Sequence, residues 1–402
     1  MEPTTERTTG GFATRAVHGA TVPSVEQHPL SVPIHLAATW GTDTSAEIGD
    51  LLTDTTAGYV YGRYDGPTAT ALHAVIASLH DAEAAWSAAS GTAAIHATLD
   101  ALRGRGRVLV TSRLYGGTYA LLQRLARDGG WGVDTAELLT GDDVRAALTD
   151  QHTVVHVETI ANPTTAVTDL PGIAAVCREA GVALVVDNTF ASPVLCRPLV
   201  HGATAVVESA TKFLGGHGDV VAGVVAGDAD LIRRIRHHIY ELGGSLGAFE
   251  AWLVTRGIQT LPLRVREGCR NATAIAAVLA EDPTVVAVHH PSQPDHPQHH
   301  LVDPVLSGRP GSVLALDLPS RAAAEAFADA CEVFVRAVSL GGTHSLVVHP
   351  GSTTHRQLDE AALAAAGLGP GTVRLSVGIE DEVDLIADVR RGLEAARKVP
   401  LG

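Results

Sequence analysis

No stretch of the 402 residues approaches about eighteen consecutive apolar side chains, the length a membrane-spanning helix needs, so none is expected. Basic residues are also scarce. Lysine and arginine total 29 against 44 aspartates and glutamates, a formal charge of -15. That balance argues against nucleic-acid binding, which requires clustered cations to meet phosphates. The four cysteines, Cys177, Cys196, Cys269 and Cys331, lie far apart with no C-x-x-C pair. They suit a reducing compartment, as buried small hydrophobes rather than a disulfide framework. Met1 to Gly11 is polar and lacks the charged-then-apolar layout of a secretion signal. Neither G-x-G-x-x-G nor G-x-x-x-x-G-K-[ST] occurs, which argues against a Rossmann dinucleotide site and a P-loop. The expectation that remains is a soluble, acidic, cytoplasmic globular protein, and its 46% hydrophobic content is enough for a large core.

What is present is an alternation. Residues 1–58 carry few periodic patterns and several prolines and glycines, which reads as an extended arm. From about residue 68 to 260, short β-branched runs alternate with Ala- and Leu-rich stretches. The runs are Arg107–Val110, Val154–Val157, Val182–Val186, Thr204–Val207 and Val220–Val225, with Ile173–Ala180 an intervening helix. Continuous apolar runs of this length predict parallel strands buried on both faces. Right-handed crossovers then place a site at the carboxyl ends of those strands. Glu158, Asp187 and Ser209 to Lys212 fall there. A long helix over Ala248–Ala280 leads into strands at Ser312–Leu318 and Thr372–Val377, with helices at Arg321–Ala330 and Glu380–Ala396. The division is a 1–58 arm, a 59–255 large domain and a 256–402 smaller α+β domain.

Lys212 carries the first chemical signal, in Ser209-Ala210-Thr211-Lys212-Phe213-Leu214-Gly215-Gly216. A lysine just after a buried strand can be desolvated enough to form an imine with an aldehyde. Ser209 and Thr211 offer hydroxyls to a phosphate, although a surface lysine at a turn would read the same way. Asp187 ends the preceding run, where a carboxylate can hold a pyridinium nitrogen protonated, or simply cap a turn. Ser90-Gly91-Thr92 opens a helix whose free amides suit an anion, or is an ordinary cap. A lysine and an aspartate on successive strand ends, with an anion cradle upstream, meet the requirements of a pyridoxal-phosphate site.

These segments resemble the Cys/Met-metabolism pyridoxal-phosphate enzymes, which include methionine γ-lyase, cystathionine γ-lyase, cystathionine γ-synthase and the homoserine sulfhydrylases. The matching blocks run in order from Tyr61-Gly62-Arg63-Tyr64 and Ser90-Gly91-Thr92 through Tyr115-Gly116-Gly117-Thr118 and Glu158-Thr159-Ile160-Ala161-Asn162-Pro163. Val186-Asp187-Asn188-Thr189, the Lys212 segment, Arg256-Gly257-Ile258-Gln259, Ser339-Leu340-Gly341-Gly342 and Arg374-Leu375-Ser376 follow. The resemblance implies an α/β chain of PLP-dependent transferase fold type I, aspartate-aminotransferase-like. It carries a mainly parallel seven-stranded-type sheet and a smaller C-terminal α+β domain. It implies pyridoxal 5'-phosphate on Lys212, which would also shuttle protons, with Asp187 at the ring nitrogen and Tyr115 stacked on the ring. Asn162 would reach the ring hydroxyl, and Ser90, Gly91, Thr92, Ser209 and Thr211 would hold the phosphate. Tyr61 and Arg63 would reach the phosphate of a neighbouring subunit in a homotetramer built as a dimer of dimers. Arg374 would grip the substrate carboxylate beside Ser339. The histidine-rich stretch His289–His300 fits a recurrent family segment, and no metal site is expected.

The departures bear on substrate. Where cystathionine-handling members place an arginine, this chain has Ala120, and where methionine γ-lyases carry a cysteine it has Gly117. Thr343-His344-Ser345 replaces a common Val-Glu-Ser, which makes His344 a candidate to read the substrate side chain. Gly66 replaces a common Asn and Glu208 a common His. Without a distal arginine, a substrate with a second carboxylate is disfavoured. The expected activity is γ-elimination from a γ-substituted amino acid such as methionine, homocysteine or an unusual analogue, giving a 2-oxo acid and ammonia. The alternative is γ-replacement on an activated homoserine, and the third reading is a non-catalytic protein of the same fold.

Overall fold

A computed structural model describes residues 10–20, 29–53, 57–353 and 367–400. The chain forms two compact units, each made of two separate stretches. The first is Met1–Ala101 with Thr204–Pro262, and the second is Leu102–Ala203 with Leu263–Gly402. The strands, in chain order, are β1 (Ala84–Ala88), β2 (Arg107–Thr111), β3 (Val133–Ala136), β4 (His152–Glu158), β5 (Ala183–Asp187), β6 (Ala205–Glu208) and β7 (Gly223–Gly227). After them come β8 (Ala287–His289), β9 (Val313–Asp317), β10 (Val335–Arg336), β11 (Leu346–Val348) and β12 (Thr372–Ser376).

In the first unit β7 lies between β1 and β6 and is antiparallel to both. This corrects the expectation of a parallel strand over Val220–Val225. β6 reaches β7 through residues 209–222 with no crossover helix of the kind that usually joins parallel neighbours, and the chain returns in the opposite direction. Val221, expected inside that strand, is mostly exposed. β1 escapes sequence reading because Ala-Ala-Trp-Ser-Ala favours neither period, yet its inward residues are buried. Helix Pro67–His80 covers this sheet with Ala71, Leu72, Val75, Ile76 and Leu79, all fully buried. The described part of the segment expected to be extended holds two helices, Phe12–His18 and Ser45–Leu52.

The second unit contains the parallel set, in the order β5-β4-β2-β3. Helices Gly116–Gly129, Gly141–Ala147 and Leu170–Ala180 supply the crossovers. Their boundaries follow from local chemistry. Asp169 caps the last of them by accepting from Gly172 N, and Gly181 ends it at φ 68°, a conformation glycine adopts freely. Every residue of β4 except Thr153 is buried, as a parallel strand covered on both faces requires.

The C-terminal part of the second unit builds a five-stranded sheet, β10-β11-β12-β9-β8, antiparallel except for the β10–β11 pair. The single helix expected over Ala248–Ala280 is instead two, Ala248–Ile258 and Leu261–Ala280. Pro262 explains the break, because proline is favoured in a first helical turn and disrupts an interior. Phe327, Phe334, Leu314, Leu316, Val373, Leu375 and Leu393 form the core under helices Arg321–Ala330 and Glu382–Arg397. A Cβ on Gly392 would come within 2.8 Å of the Phe327 ring, so the two helices approach at a glycine.

One buried carboxylate ties this core together. Asp388 accepts from the amides of Glu332, Val333 and Phe334 at 2.8, 2.9 and 2.8 Å and pairs with Arg391. Asp388→Ala strands these donors, so a loss of about 3–5 kcal/mol is expected in urea unfolding. Asp388→Asn, which keeps one acceptor oxygen, should lose less. All four cysteines are buried, and none forms a disulfide. Burial pushes the thiol of Cys177 up to about 11 and those of Cys269 and Cys331 to about 12. No helix among the described residues is long and apolar enough to cross a membrane.

Candidate active site

The expected site residues divide between the units. Lys212, Ser209, Thr211, Ser90, Gly91, Thr92, Tyr61 and Arg63 belong to the first, and Tyr115, Asn162, Asp187, Arg374, Ser339 and His344 to the second.

In the first unit, the turn at Ser90-Gly91-Thr92 is wedged against the strand ends. A Cβ on Gly91 would stand 2.8 Å from Ser209 Cβ, and one on Gly223 would stand 2.2 Å from the Ser90 carbonyl oxygen. Both glycines are therefore demanded by close approach. The contact brings the N-terminus of helix Gly91–Arg103 against Ser209. Ser90 Oγ accepts from Ala93 N at 3.1 Å, and the first amides of the helix have no intrahelical acceptor. This cradle, with a serine hydroxyl beside the amides that open a helix, fits a phosphate group.

The Lys212 loop is braced internally. Thr211 Oγ1 donates to Ala222 O at 3.2 Å and accepts from Ala222 N at 3.0 Å, so its hydroxyl is engaged in holding the loop. Gly216 N bonds Lys212 O and Gly215 N bonds Ala210 O, each at 2.8 Å. Gly257 backs this turn, since a Cβ there would lie 2.2 Å from Gly215 O. That proximity gives the Arg256-Gly257 block a physical reason. Arg63 donates to the carbonyl of Tyr240 at 2.7 Å, with its guanidinium over the Tyr64 ring. Tyr61 is partly exposed nearby.

In the second unit, β4 and β5 end in paired carboxylates, Glu158 opposite Asp187. Asp187 accepts from Thr189 N at 2.9 Å, fixing the turn beyond the strand. Glu158 accepts from Tyr115 N at 2.5 Å and thereby seats the start of helix Gly116–Gly129. Burial, then the charge of Asp187, raises the Glu158 carboxyl well above its ordinary range. Sequence reading places Glu158 at a strand tip without giving it a role; its register opposite Asp187 is the available signal. Because the folded state holds a proton that the unfolded chain releases, this carboxyl stabilises the fold at low pH and loses that contribution as pH rises past 4.5. Glu158→Gln keeps an acceptor for Tyr115 N. It should flatten the fall of the cofactor-free protein's melting temperature over that rise.

Arg374 lies on β12, 2% exposed. It donates to Asn162 Oδ1 at 3.0 Å and to Ser339 O at 2.7 Å, while Nε has no partner. Burial lowers its pKa to about 10, which still leaves it charged at neutral pH. No carboxylate pairs with it among the described residues. Ser339 holds φ 100°, an uncommon conformation for a serine, which aims its carbonyl at the guanidinium. The structure thus joins Arg374, Asn162 and Ser339. His344 is exposed and contacts its neighbour, with Thr343 Oγ1 3.2 Å from its Nδ1. In the histidine-rich stretch, His289 meets Asp317 at 2.7 Å and His299 Nδ1 meets Pro291 O at 2.7 Å.

A braced lysine after a strand, a phosphate cradle and an unneutralised buried guanidinium define the class, a fold type I pyridoxal-phosphate enzyme. The solved structures agree. Cystathionine γ-synthase from Xanthomonas oryzae pv. oryzae matches with a TM-score of 0.91 at 34% identity, over 97% of this chain and 99% of that one. A putative O-acetylhomoserine (thiol)-lyase from Campylobacter jejuni, which carries a pyridoxyl-lysine phosphate, matches at 0.92 and 27% identity over 96% of this chain and all of that one. L-methionine γ-lyase from Pseudomonas putida is 39% identical over 390 residues, 96% of this chain and 98% of the relative. Residues 13–394 match the family described as Cys/Met metabolism PLP-dependent enzyme, and the chain belongs to that family. It is a PLP-dependent enzyme of the lyase and γ-synthase type.

Proposed function

We propose that this enzyme catalyses γ-elimination from a γ-substituted L-amino acid lacking a distal carboxylate, giving a 2-oxo acid and ammonia. The carrying observation is Arg374, a buried cation whose partners, Asn162 Oδ1 and Ser339 O, are both neutral. A substrate α-carboxylate supplies the missing charge as a bidentate partner. Ala120 offers no second cation for a distal carboxylate, and the similarity to a methionine γ-lyase supports the same reading.

When bound, pyridoxal phosphate supplies an electron sink that acidifies the substrate Cα proton. Gly91, Thr92 and Ser209 would hold its phosphate, and the Asp187 carboxylate would keep its ring nitrogen protonated. Asn162 would meet its ring hydroxyl. Lys212 Nζ takes the Cα proton and returns it along the chain. Tyr115 would cover the ring, with its hydroxyl the donor to the departing γ-substituent. The assembly we propose is a cytoplasmic homotetramer, a dimer of dimers, with Tyr61 and Arg63 serving the neighbouring subunit's phosphate.

γ-Replacement stays in view because of Gly117. A Cβ at that position would stand 2.5 Å from the Tyr115 ring, so the cysteine of methionine γ-lyases would displace the ring as it lies here. The test is O-acetylhomoserine, methionine and homocysteine, each with and without an added thiol. Elimination predicts oxo acid at a rate indifferent to thiol. Thiol-dependent product with little oxo acid establishes replacement instead.

A further inference from the structure

The Lys212 segment leaves β6 at Glu208, the position where the family commonly has histidine. Glu208 is 2% exposed at its side chain, and His80, the last residue of helix Pro67–His80, is 1% exposed. His80 Nε2 stands 3.2 Å from Glu208 Oε1, within ion-pair distance although the ring is not aligned for a hydrogen bond. Most of the helix face leading to His80 is apolar, with Leu72, Val75, Ile76 and Leu79 fully buried, and His73 is a second buried histidine on it. A buried acid–base pair is seldom more stabilising than a packed apolar one, so its value lies in fixing one arrangement over others.

The surroundings show which arrangement is fixed. Glu208 is paired across the sheet with Val224, and Val224 with Ser87 on its other side, so the three side chains share a face. Ser87 Oγ lies 2.9 Å from Nε2 of His73, seven residues before His80 on the same helix. Two histidines two turns apart therefore meet two polar groups of the sheet, which sets the sliding position of the helix. Beyond Glu208 the chain has little slack. Lys212 N bonds Ser209 O at 3.1 Å, Thr211 is held to Ala222 from both sides, and Gly257 blocks the turn from behind. A shift at Glu208 is passed on to Lys212.

We infer that the His80–Glu208 pair is a positioning element for Lys212, pinning the end of β6 so that the lysine meets the cofactor in one orientation. The inference rests on Lys212 being the cofactor lysine. A Lys212→Ala control separates the two: a variant keeping the lysine-bound absorbance band would sink that premise rather than the positioning role.

The test exchanges the partners. His80→Glu and Glu208→His are made singly and together in the full-length holoenzyme. Cofactor dissociation constant, visible circular dichroism of the bound cofactor and thermal unfolding of the cofactor-free form are then read. Each single variant is expected to weaken cofactor binding on the order of tenfold and to reduce the visible dichroic band, because it sets two like groups together. The double exchange is expected to recover both. Where a single variant fails to fold, Glu208→Gln removes the charge at nearly constant shape and is read in the same way. The inference is overturned if the double exchange is no better than the worse single variant. It is equally overturned if the variants lower only the unfolding temperature and leave dissociation constant and dichroism at wild-type values.

Discussion

Lys212→Ala is expected to lower kcat by at least about a thousandfold, while the protein still folds and unfolds cooperatively. Proton transfer by a positioned side chain contributes roughly 10²–10⁴-fold, and this residue is also assigned the covalent hold on the cofactor. The fold should tolerate the change because the loop is closed by backbone bonds, Lys212 N to Ser209 O and Gly216 N to Lys212 O, together with the Thr211–Ala222 pair. Absorbance of the purified variant should lack the lysine-bound band. A small primary amine added to the assay should restore part of the turnover by supplying the missing base. A variant with near-normal kcat would remove Lys212 from the chemistry.

Arg374→Ala is the second large effect. Removing one partner of a buried charged contact costs roughly 2–5 kcal/mol, so kcat/KM should fall by about 30- to 4,000-fold. Most of that should appear in KM, with a smaller drop in kcat because the carboxylate grip also orients the Cα–H bond. Arg374→Lys should rescue little. One ammonium cannot reproduce the two arms now on Asn162 Oδ1 and Ser339 O while presenting a fork to substrate. Steady-state kinetics on the best substrate of the panel decide it, and an unchanged KM would point to another carboxylate anchor.

Legibility in the sequence tracks periodicity and local chemistry. The parallel strands β2, β4 and β5 are readable because burial on both faces leaves a continuous apolar run. Helix Arg321–Ala330 is readable to the residue, because Ser320 caps it and Ala323, Ala324 and Phe327 recur at helical spacing on its buried side. β3 escapes because Val133-Asp134-Thr135-Ala136 is only partly buried, and β8, β10 and β11 because two or three residues show no period. The direction of β7 is misread because composition does not report whether a connection is a helix or a tight return. Among site residues, the resemblance places Ser339 beside Arg374, but Asn162 lies 212 residues away in the chain and only folding shows it on the same guanidinium. His80 is invisible for the same reason, since its significance lies in what faces it.

The four sunken thiols have a practical consequence for chemistry done on this protein. With Cys177, Cys269 and Cys331 held far from thiolate formation and Cys196 equally buried, alkylating reagents at neutral pH should find almost no native target. A cysteine introduced at an exposed position such as Ala120 would then be the sole rapidly labelled site. A spin label or fluorophore placed there could report on the exposed face of helix Gly116–Gly129 without removal of any native cysteine.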